Sequence, residues 1–200
     1  VDSGIYVSNT PALTIGGVFW MYSRDLPSEE SLAQYTPKMI SRIYSGEGRI
    51  IDEFATERRL FTPVEDIPDL VKHAFISAED KNFYTHQGFD LRGIAAAGIE
   101  AIRSRGENLR GASTIPQQVA KISFLSGDRT AERKIKEIIL ANRMVTTLSR
   151  DKVLEIYLNE IDLGQRSFGV TAAAQTYYNK TLTELTPAEA AYLAALPKSP

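Results

Sequence analysis

The sequence predicts a mainly α protein with a short β or extended element near its N-terminus. From Pro68 onward, apolar residues recur at helical spacing and several segments begin with capping residues. Before that point, Ile40 to Phe61 alternates apolar and polar residues around two glycines, which is typical of a hairpin. The chain of 200 residues has no cysteine. It is long enough for about one domain with its own core.

Each predicted helix has a recognisable start. Ile67-Pro68 opens one helix, and Thr114 to Gln117 and Thr186 to Glu189 are capping boxes. Small residues between Gly164 and Lys180 predict a closely packed helix. The predicted helices begin at Ile67 (to Ala78), Leu91 (to Arg105), Thr114, Thr130 (to Leu148), Ser149 (to Asn159) and Thr186.

The first 39 residues are predicted to be a leader and linker, and residues 40–200 one domain. Gly4 to Ser23 carries no charge and ends in an aromatic run before Arg24. Its polar residues, proline and glycines make it a poor membrane span. The aromatic run still resembles the interfacial end of an anchor, with a surface strand or a leader as the alternative. Two prolines and polar composition predict a linker over residues 24–37.

Charge is unevenly distributed along the chain. Between Lys121 and Lys152, eight basic residues stand against four acidic ones, although the net charge of the whole chain is −2. Such a basic block indicates an anionic ligand or a membrane headgroup, or else a solvated helix face. With His73 and His86 as the only histidines, a multi-histidine metal site is not expected.

A first candidate constellation lies where the Ile67 helix ends, at Glu79-Asp80-x-x-Phe83-x-x-His86-x-Gly88. A carboxylate beside aromatic residues at a helix terminus is partly desolvated, which raises its pKa toward that of a working acid or base. Gly88 is suited to a left-handed turn. The alternative is a pair of surface acids and a histidine within a turn.

A second constellation is the stretch from Gly111 to Lys121. A glycine, hydroxyl groups and a new helix N-terminus form an anion cradle. The side chains suited to sugar hydroxyls or phosphate oxygens are Ser113, Gln117, Gln118 and Lys121. The alternative is a well-capped helix with no ligand.

A third constellation is Arg133-Lys134-x-Lys136-Glu137. Apolar residues lie on both sides of this helix, so its charges must be paired or face a cavity. Arg133 and Glu137 are also spaced as an (i, i+4) ion pair.

Together with Lys152-x-x-Glu155-x-Tyr157-Leu158-Asn159, these motifs in this order resemble the signature of the family 51 peptidoglycan glycosyltransferases. The resemblance runs from about Ile40 to the last residue. These domains occur in class A penicillin-binding proteins and in monofunctional transglycosylases. Pro116 departs from the usual threonine, and Asn179 stands where glycine is common.

The resemblance implies a large lysozyme-like lobe and a small, mobile, membrane-proximal lobe. Apolar residues flanked by glycines place this lobe at about residues 105–128, with Ile122, Phe124 and Leu125 expected to be exposed. Glu79 matches the family's essential glutamate, and Glu137 its second glutamate. The pyrophosphate- and substrate-binding candidates are Asp80, Phe83, His86, Ser113, Gln117, Gln118, Lys121, Arg133, Lys134 and Lys136. The resemblance does not by itself require a cofactor, and it leaves open whether a divalent cation (Mg²⁺ or Mn²⁺) binds at Glu137.

The implied substrate is lipid II, and the implied reaction extends the nascent glycan strand with release of undecaprenyl pyrophosphate. The implied location is the outer, periplasmic face of the bacterial cytoplasmic membrane. A C-terminal transpeptidase domain and cell-wall synthesis proteins are further implied partners, and nucleic acid is not. Moenomycin is the family's known inhibitor. A lysozyme-like glycan-cleaving enzyme and a non-catalytic cell-wall scaffold remain as alternatives.

Overall fold

The computed structural model describes residues 17, 20–36, 41–44, 46–47, 50–54, 58–90, 93, 113–125 and 130–198. Within these ranges the protein is mainly helical, which confirms the predicted fold class. The helices are α1 (Glu29–Ala33), α2 (Asp69–Glu79), α3 (Ile115–Val119), α4 (Ala131–Thr147), α5 (Arg150–Glu160), α6 (Val170–Tyr178) and α7 (Pro187–Ala195). A π-helix, Ala120–Phe124, continues α3.

Two small sheets accompany the helices. Strand β1 (Ser41–Tyr44) pairs antiparallel with β2 (Ile50–Phe54), and the register shifts at Ile43/Tyr44. This pair confirms the hairpin predicted between Ile40 and Phe61. Strand β3 (Arg58–Arg59) pairs parallel with β4 (Ser167–Phe168), which joins two parts of the chain that are distant in sequence.

Side-chain caps define where the helices begin. Thr114 and Gln117 form the predicted capping box, each side chain bonded to the backbone of the other. Pro116 lies in the first turn of α3, where a missing N–H costs little. The other predicted N-caps are also observed, at Thr130, Ser149 and Thr186.

Helix α5 runs through the core. Every residue from Val153 to Glu160 is buried, and the helix packs against α3, α4 and α6. Its polar residues are satisfied by neighbouring segments. Asn159 accepts from the Thr62 N–H through Oδ1 at 2.8 Å and donates to the Thr62 carbonyl through Nδ2 at 2.9 Å. These bonds tie the approach to α2 onto α5.

The linker predicted over residues 24–37 is partly wrong. Ser28 caps the short helix α1, and Leu32 on that helix is only 1% exposed within the core. Arg143 on α4 also donates to the backbone carbonyls of Leu26 and Pro27. One buried leucine on a five-residue helix gives too short a pattern to reveal periodicity in the sequence.

Several predictions fall where the structure gives no description. These are residues 1–16, most of the helix predicted from Leu91 to Arg105, and residues 105–112 and 126–128 of the predicted mobile lobe. Gly93 alone of that helix is described, and it is helical. Among the described residues, no helix is both long and apolar enough to cross a membrane.

One prediction about this lobe is wrong. Ile122, Phe124 and Leu125 were expected to be exposed, but they are partly buried and pack against the core. The ring of Phe124 lies 4.7 Å from that of Tyr35. The π-helix turns these side chains inward.

Candidate active site

Glu79 is the last residue of α2 and is half-buried. Gln118 on α3 donates from Nε2 to Glu79 Oε2 at 2.8 Å. The predicted base and one predicted binding residue are therefore in direct contact. This bond limits the rotation of the carboxylate.

Asp80 and His86 brace the turn that follows Glu79. The Gly88 N–H donates to His86 Nδ1 at 3.0 Å, so this nitrogen is unprotonated. His86 Nε2 therefore carries the proton and donates to Asp80 Oδ2 at 2.8 Å. Asp80 Oδ2 also accepts from the Ile115 N–H at 2.9 Å. The aspartate thus connects the turn to the start of α3.

Gly88 also constrains this turn, because its backbone lies directly against α4. Its φ is +89°, and a Cβ there would lie 2.5 Å from the carbonyl oxygen of Ala141 on α4. Thr114 Oγ1 donates to the Gly88 carbonyl at 2.6 Å. Only glycine allows this approach, so the turn sits directly between α3 and α4.

Asp80 and Phe83 were predicted to bind substrate, and this stays a prediction; the structure places both inside the fold. Both are buried. The Phe83 ring packs edge-on against Tyr84 and His86. His86 is nearly buried too, with its ring nitrogens engaged by Asp80 and Gly88. The three residues therefore stabilise the turn that follows Glu79, through the packing of Phe83 and the hydrogen bonds of Asp80 and His86.

Lys134 on α4 connects the second and third constellations. Its Nζ donates to Ser113 Oγ at 2.9 Å, to Gln117 Oε1 at 3.4 Å and to Glu137 Oε2 at 3.0 Å. Gln117 is buried and lies beside Gln118, which contacts Glu79. Neighbouring residues on one turn of α3 therefore link the Glu79 carboxylate to the basic cluster.

Glu137 is 4% exposed and holds two cations. Arg133 Nε lies 3.2 Å from Oε1, and Lys134 Nζ lies 3.0 Å from Oε2. Each carboxylate oxygen is thus engaged by a positive group. Two cations beside a single carboxylate repel a divalent ion, so this donor set fits a metal ion poorly. Nor do the described residues contain a group of three or more acidic or histidine side chains suited to metal binding.

Lys136 and Lys121 do not join this cluster. Lys136 Nζ bonds to Glu132 at 2.7 Å and lies 5.8 Å from the centre of the Tyr22 ring. Its hydrogen bond to Glu132 raises the pKa of the Lys136 ammonium. Lys121 is exposed on the π-helix. The ion pair of Arg133 and Glu137 predicted from their (i, i+4) spacing is thus confirmed. The pair of Lys136 with Glu132 has the same spacing but was not predicted.

Two residues that contact α2 or the turn after it went unrecognised as site candidates in the sequence. Arg150 donates to the His86 carbonyl and lies over the Phe83 ring, 5.9 Å from its centre. An arginine in the first turn of a helix opposes the macrodipole, which was an available signal. Tyr157 on α5 is fully buried and packs against Phe75, one turn before Glu79 on α2. Its apolar spacing resembled that of an ordinary core residue, so the sequence held no signal for it.

A separate cleft of about 530 Å³ lies between the start of α2 and the start of α5. Its lining includes Asp69, Lys72, Asp151 and Lys152, and none of the predicted site residues. Asp69 and Glu79 stand at opposite ends of α2, about 15 Å apart at the helical rise. This cleft is therefore distinct from the Glu79 site.

Comparison with known proteins defines the class of enzyme. Residues 47–200 match the Transglycosylase family. Because this match covers more than half of the chain, the chain belongs to the transglycosylase family. The recognition of a peptidoglycan glycosyltransferase domain from its motifs is thereby confirmed.

Two curated relatives and one solved structure that match this chain carry the name penicillin-binding protein 1A. Penicillin-binding protein 1A of Rickettsia bellii is 47% identical over 185 residues, which are 92% of this chain and 23% of that protein. Penicillin-binding protein 1A of Neisseria flavescens is 50% identical over 175 residues, 88% of this chain and 22% of that protein. A crystal structure of penicillin-binding protein 1A from Haemophilus influenzae matches at 26% identity and a TM-score of 0.38, covering 83% of this chain and 15% of that chain. The chain therefore spans less than a quarter of the length of these curated relatives.

Proposed function

We propose that the chain polymerises lipid II into glycan strands. One observation carries the proposal. Gln118 holds the Glu79 carboxylate, while the adjacent Gln117 contacts Lys134 of the Arg133–Lys134–Glu137 cluster. A candidate base and a candidate anion site are thus arranged on a single turn of α3, as transfer from a pyrophosphate donor requires.

Glu79 acts as the general base. The 4-hydroxyl of the GlcNAc in an incoming lipid II attacks C1 of the lipid-linked growing chain, and its proton passes to the Glu79 carboxylate. The new bond joins O4 to C1, and the bond from C1 to the pyrophosphate oxygen breaks with inversion. A carboxylate fixed by Gln118 supports this role, because a base must lie within hydrogen-bond reach of the proton it removes.

Arg133 and Lys134 stabilise the leaving pyrophosphate. Negative charge grows on this group in the transition state, and preorganised cations lower the barrier. Ser113 and Gln117 supply neutral polar groups beside Lys134. Glu137 keeps both cations in place before substrate arrives. Lys121, exposed on the neighbouring π-helix, adds a cation for the lipid-linked phosphates.

The lipid-linked substrate places the reaction at the outer face of the bacterial cytoplasmic membrane. The exposed side chains of Trp20 and Met21, followed by Arg24, suit contact with the interface. The resemblance to class A penicillin-binding proteins also supports a transpeptidase domain in the same polypeptide and contact with other cell-wall synthesis proteins.

Incubation of the purified chain with lipid II in detergent tests this function. Glycan polymer is the expected product. Shortened glycan from a polymeric substrate would identify a cleaving enzyme, and the absence of either product would identify a scaffold. Either result would refute the proposal.

Replacement of Arg133 tests the anion site. Loss of one charge-assisted bond should cost roughly 2–4 kcal/mol of transition-state stabilisation. Arg133→Ala should therefore turn over roughly thirtyfold to a thousandfold more slowly, and it should bind moenomycin more weakly. Arg133→Lys should restore only part of the rate, because lysine lacks the planar fork. Lys136→Ala is the matched control on the same helix, since Lys136 pairs with Glu132. Equal rates for the two alanine variants would exclude this anion site.

A further inference from the structure

A buried hydroxyl belongs to a residue that packs against the helix ending in Glu79. Tyr157 on α5 is 0% exposed, and its ring packs edge-on against Phe75, with 6.2 Å between ring centres. Phe75 lies one turn before Glu79 on α2, so Tyr157 contacts the helix face that presents Glu79. The Tyr157 hydroxyl has no hydrogen-bond partner among the residues that the structure describes.

Such a hydroxyl is unfavourable for the fold alone. A buried donor without a partner costs roughly 1–3 kcal/mol. Phenylalanine would fill almost the same space without that cost. Buried polar groups of this kind therefore call for another explanation, and a role in catalysis is one.

The surroundings of Tyr157 indicate what its hydroxyl serves. Burial raises the pKa of the phenol well above its usual value, and the negative charges of Glu79 and Asp80 raise it further. The group thus stays protonated and can only donate to a nearby carboxylate. Asp80 already accepts from His86 and from the Ile115 N–H. Phe75, against which the Tyr157 ring packs, precedes Glu79 by one turn on α2, so Glu79 is the carboxylate on the helix face that Tyr157 contacts.

We infer that Tyr157 is a positioning residue that donates its O–H to the Glu79 carboxylate when the acceptor sugar is bound. This inference rests on the proposed role of Glu79 as base. Catalytic hydrogen bonds are often long in the free enzyme and tighten in the substrate complex. With Gln118 donating from α3 and Tyr157 from α5, the carboxylate would be fixed by two donors and would direct a lone pair at the acceptor hydroxyl.

Tyr157→Phe tests the inference, because it removes one oxygen and leaves the ring. The expected result is a kcat for lipid II polymerisation that is about tenfold lower or more, the range for loss of a hydrogen bond to a charged group. KM should stay unchanged, and the melting temperature should stay equal or rise.

Tyr177→Phe is the matched control. The Tyr177 hydroxyl on α6 donates to the carbonyl of Leu163, in the segment between α5 and β4, at 2.7 Å. Its removal should lower the melting temperature and leave kcat at the parental value, the reverse of the result for Tyr157.

Three outcomes would overturn the inference. A Tyr157→Phe chain with parental kcat would show that the hydroxyl plays no part in the reaction. A Tyr157→Phe chain that does not fold would show that the hydroxyl has a structural partner. A parental chain that does not polymerise lipid II would refute the proposed function itself, and the inference with it.

Discussion

Replacement of Glu137 by glutamine tests the central ion cluster. The substitution keeps the size of the side chain and removes its charge, leaving Arg133 and Lys134 facing a neutral amide. Removing one partner from a buried pair costs about 3–5 kcal/mol. The Lys134 side chain is 45% exposed and can turn toward water, so we expect a loss of about 2–4 kcal/mol in the free energy of unfolding.

The matched control is Glu132→Gln on the same helix. Glu132 also bonds to a cation four residues away, Lys136, but its side chain is 51% exposed. Exposed helix pairs contribute only about 0.3–0.5 kcal/mol. Urea denaturation followed by circular dichroism measures both variants. A Glu137→Gln chain no less stable than Glu132→Gln would refute the reasoning that the Glu137 pair is a buried structural cluster.

Three further predictions concern the fold around the site. Gly88→Ala should lower the free energy of unfolding by about 2–5 kcal/mol. A left-handed φ costs an alanine roughly 1–2 kcal/mol, and the clash with the Ala141 carbonyl costs about 1–3 kcal/mol. A loss under 1 kcal/mol in a denaturant titration would contradict this prediction. Burial, aided by the hydrogen bond to Glu160, raises the pKa of the Tyr35 hydroxyl to about 12. Because the folded chain holds this proton more tightly than the unfolded chain, protonated Tyr35 contributes to the free energy of unfolding below the ordinary tyrosine pKa near 10. That contribution is lost as pH rises through 12. Thermal melts across that range should show a smaller decline for Tyr35→Phe, and equal declines would exclude the effect. Leu32→Ala should cost about 2–5 kcal/mol if α1 belongs to the core, whereas a flexible linker would tolerate it in the same titration.

Local chemistry explains what the sequence could predict. The helix starts at Thr114, Ser149 and Thr186 depend on side chains within three residues of the backbone groups that they cap. The left-handed residues at Gly88 and Asn179 are equally local, since their backbone geometry limits which residue types fit. These features follow from short-range geometry, so a single sequence reveals them.

Long-range contacts explain what the sequence could not predict. Tyr35 donates to Glu160 across 125 positions at 2.5 Å, and Ser123 donates to the other oxygen of the same carboxylate at 2.7 Å. Nothing in the local sequence of any of these residues indicates its partner. The inward turn of Phe124 onto Tyr35 depends on the same packing. Likewise, the motifs identified Glu79 and Glu137, but only the fold showed that Gln117 and Gln118 connect them.

We propose Glu79 as the base of a glycan-polymerising site. The most direct test measures lipid II turnover by Glu79→Gln and by the parental chain. Glu65→Gln is the control, because Glu65 is an exposed glutamate. We expect a folded Glu79→Gln chain with no detectable polymer and a Glu65→Gln chain with parental turnover. Near-parental polymerisation by the folded Glu79→Gln chain would contradict the assignment of the base.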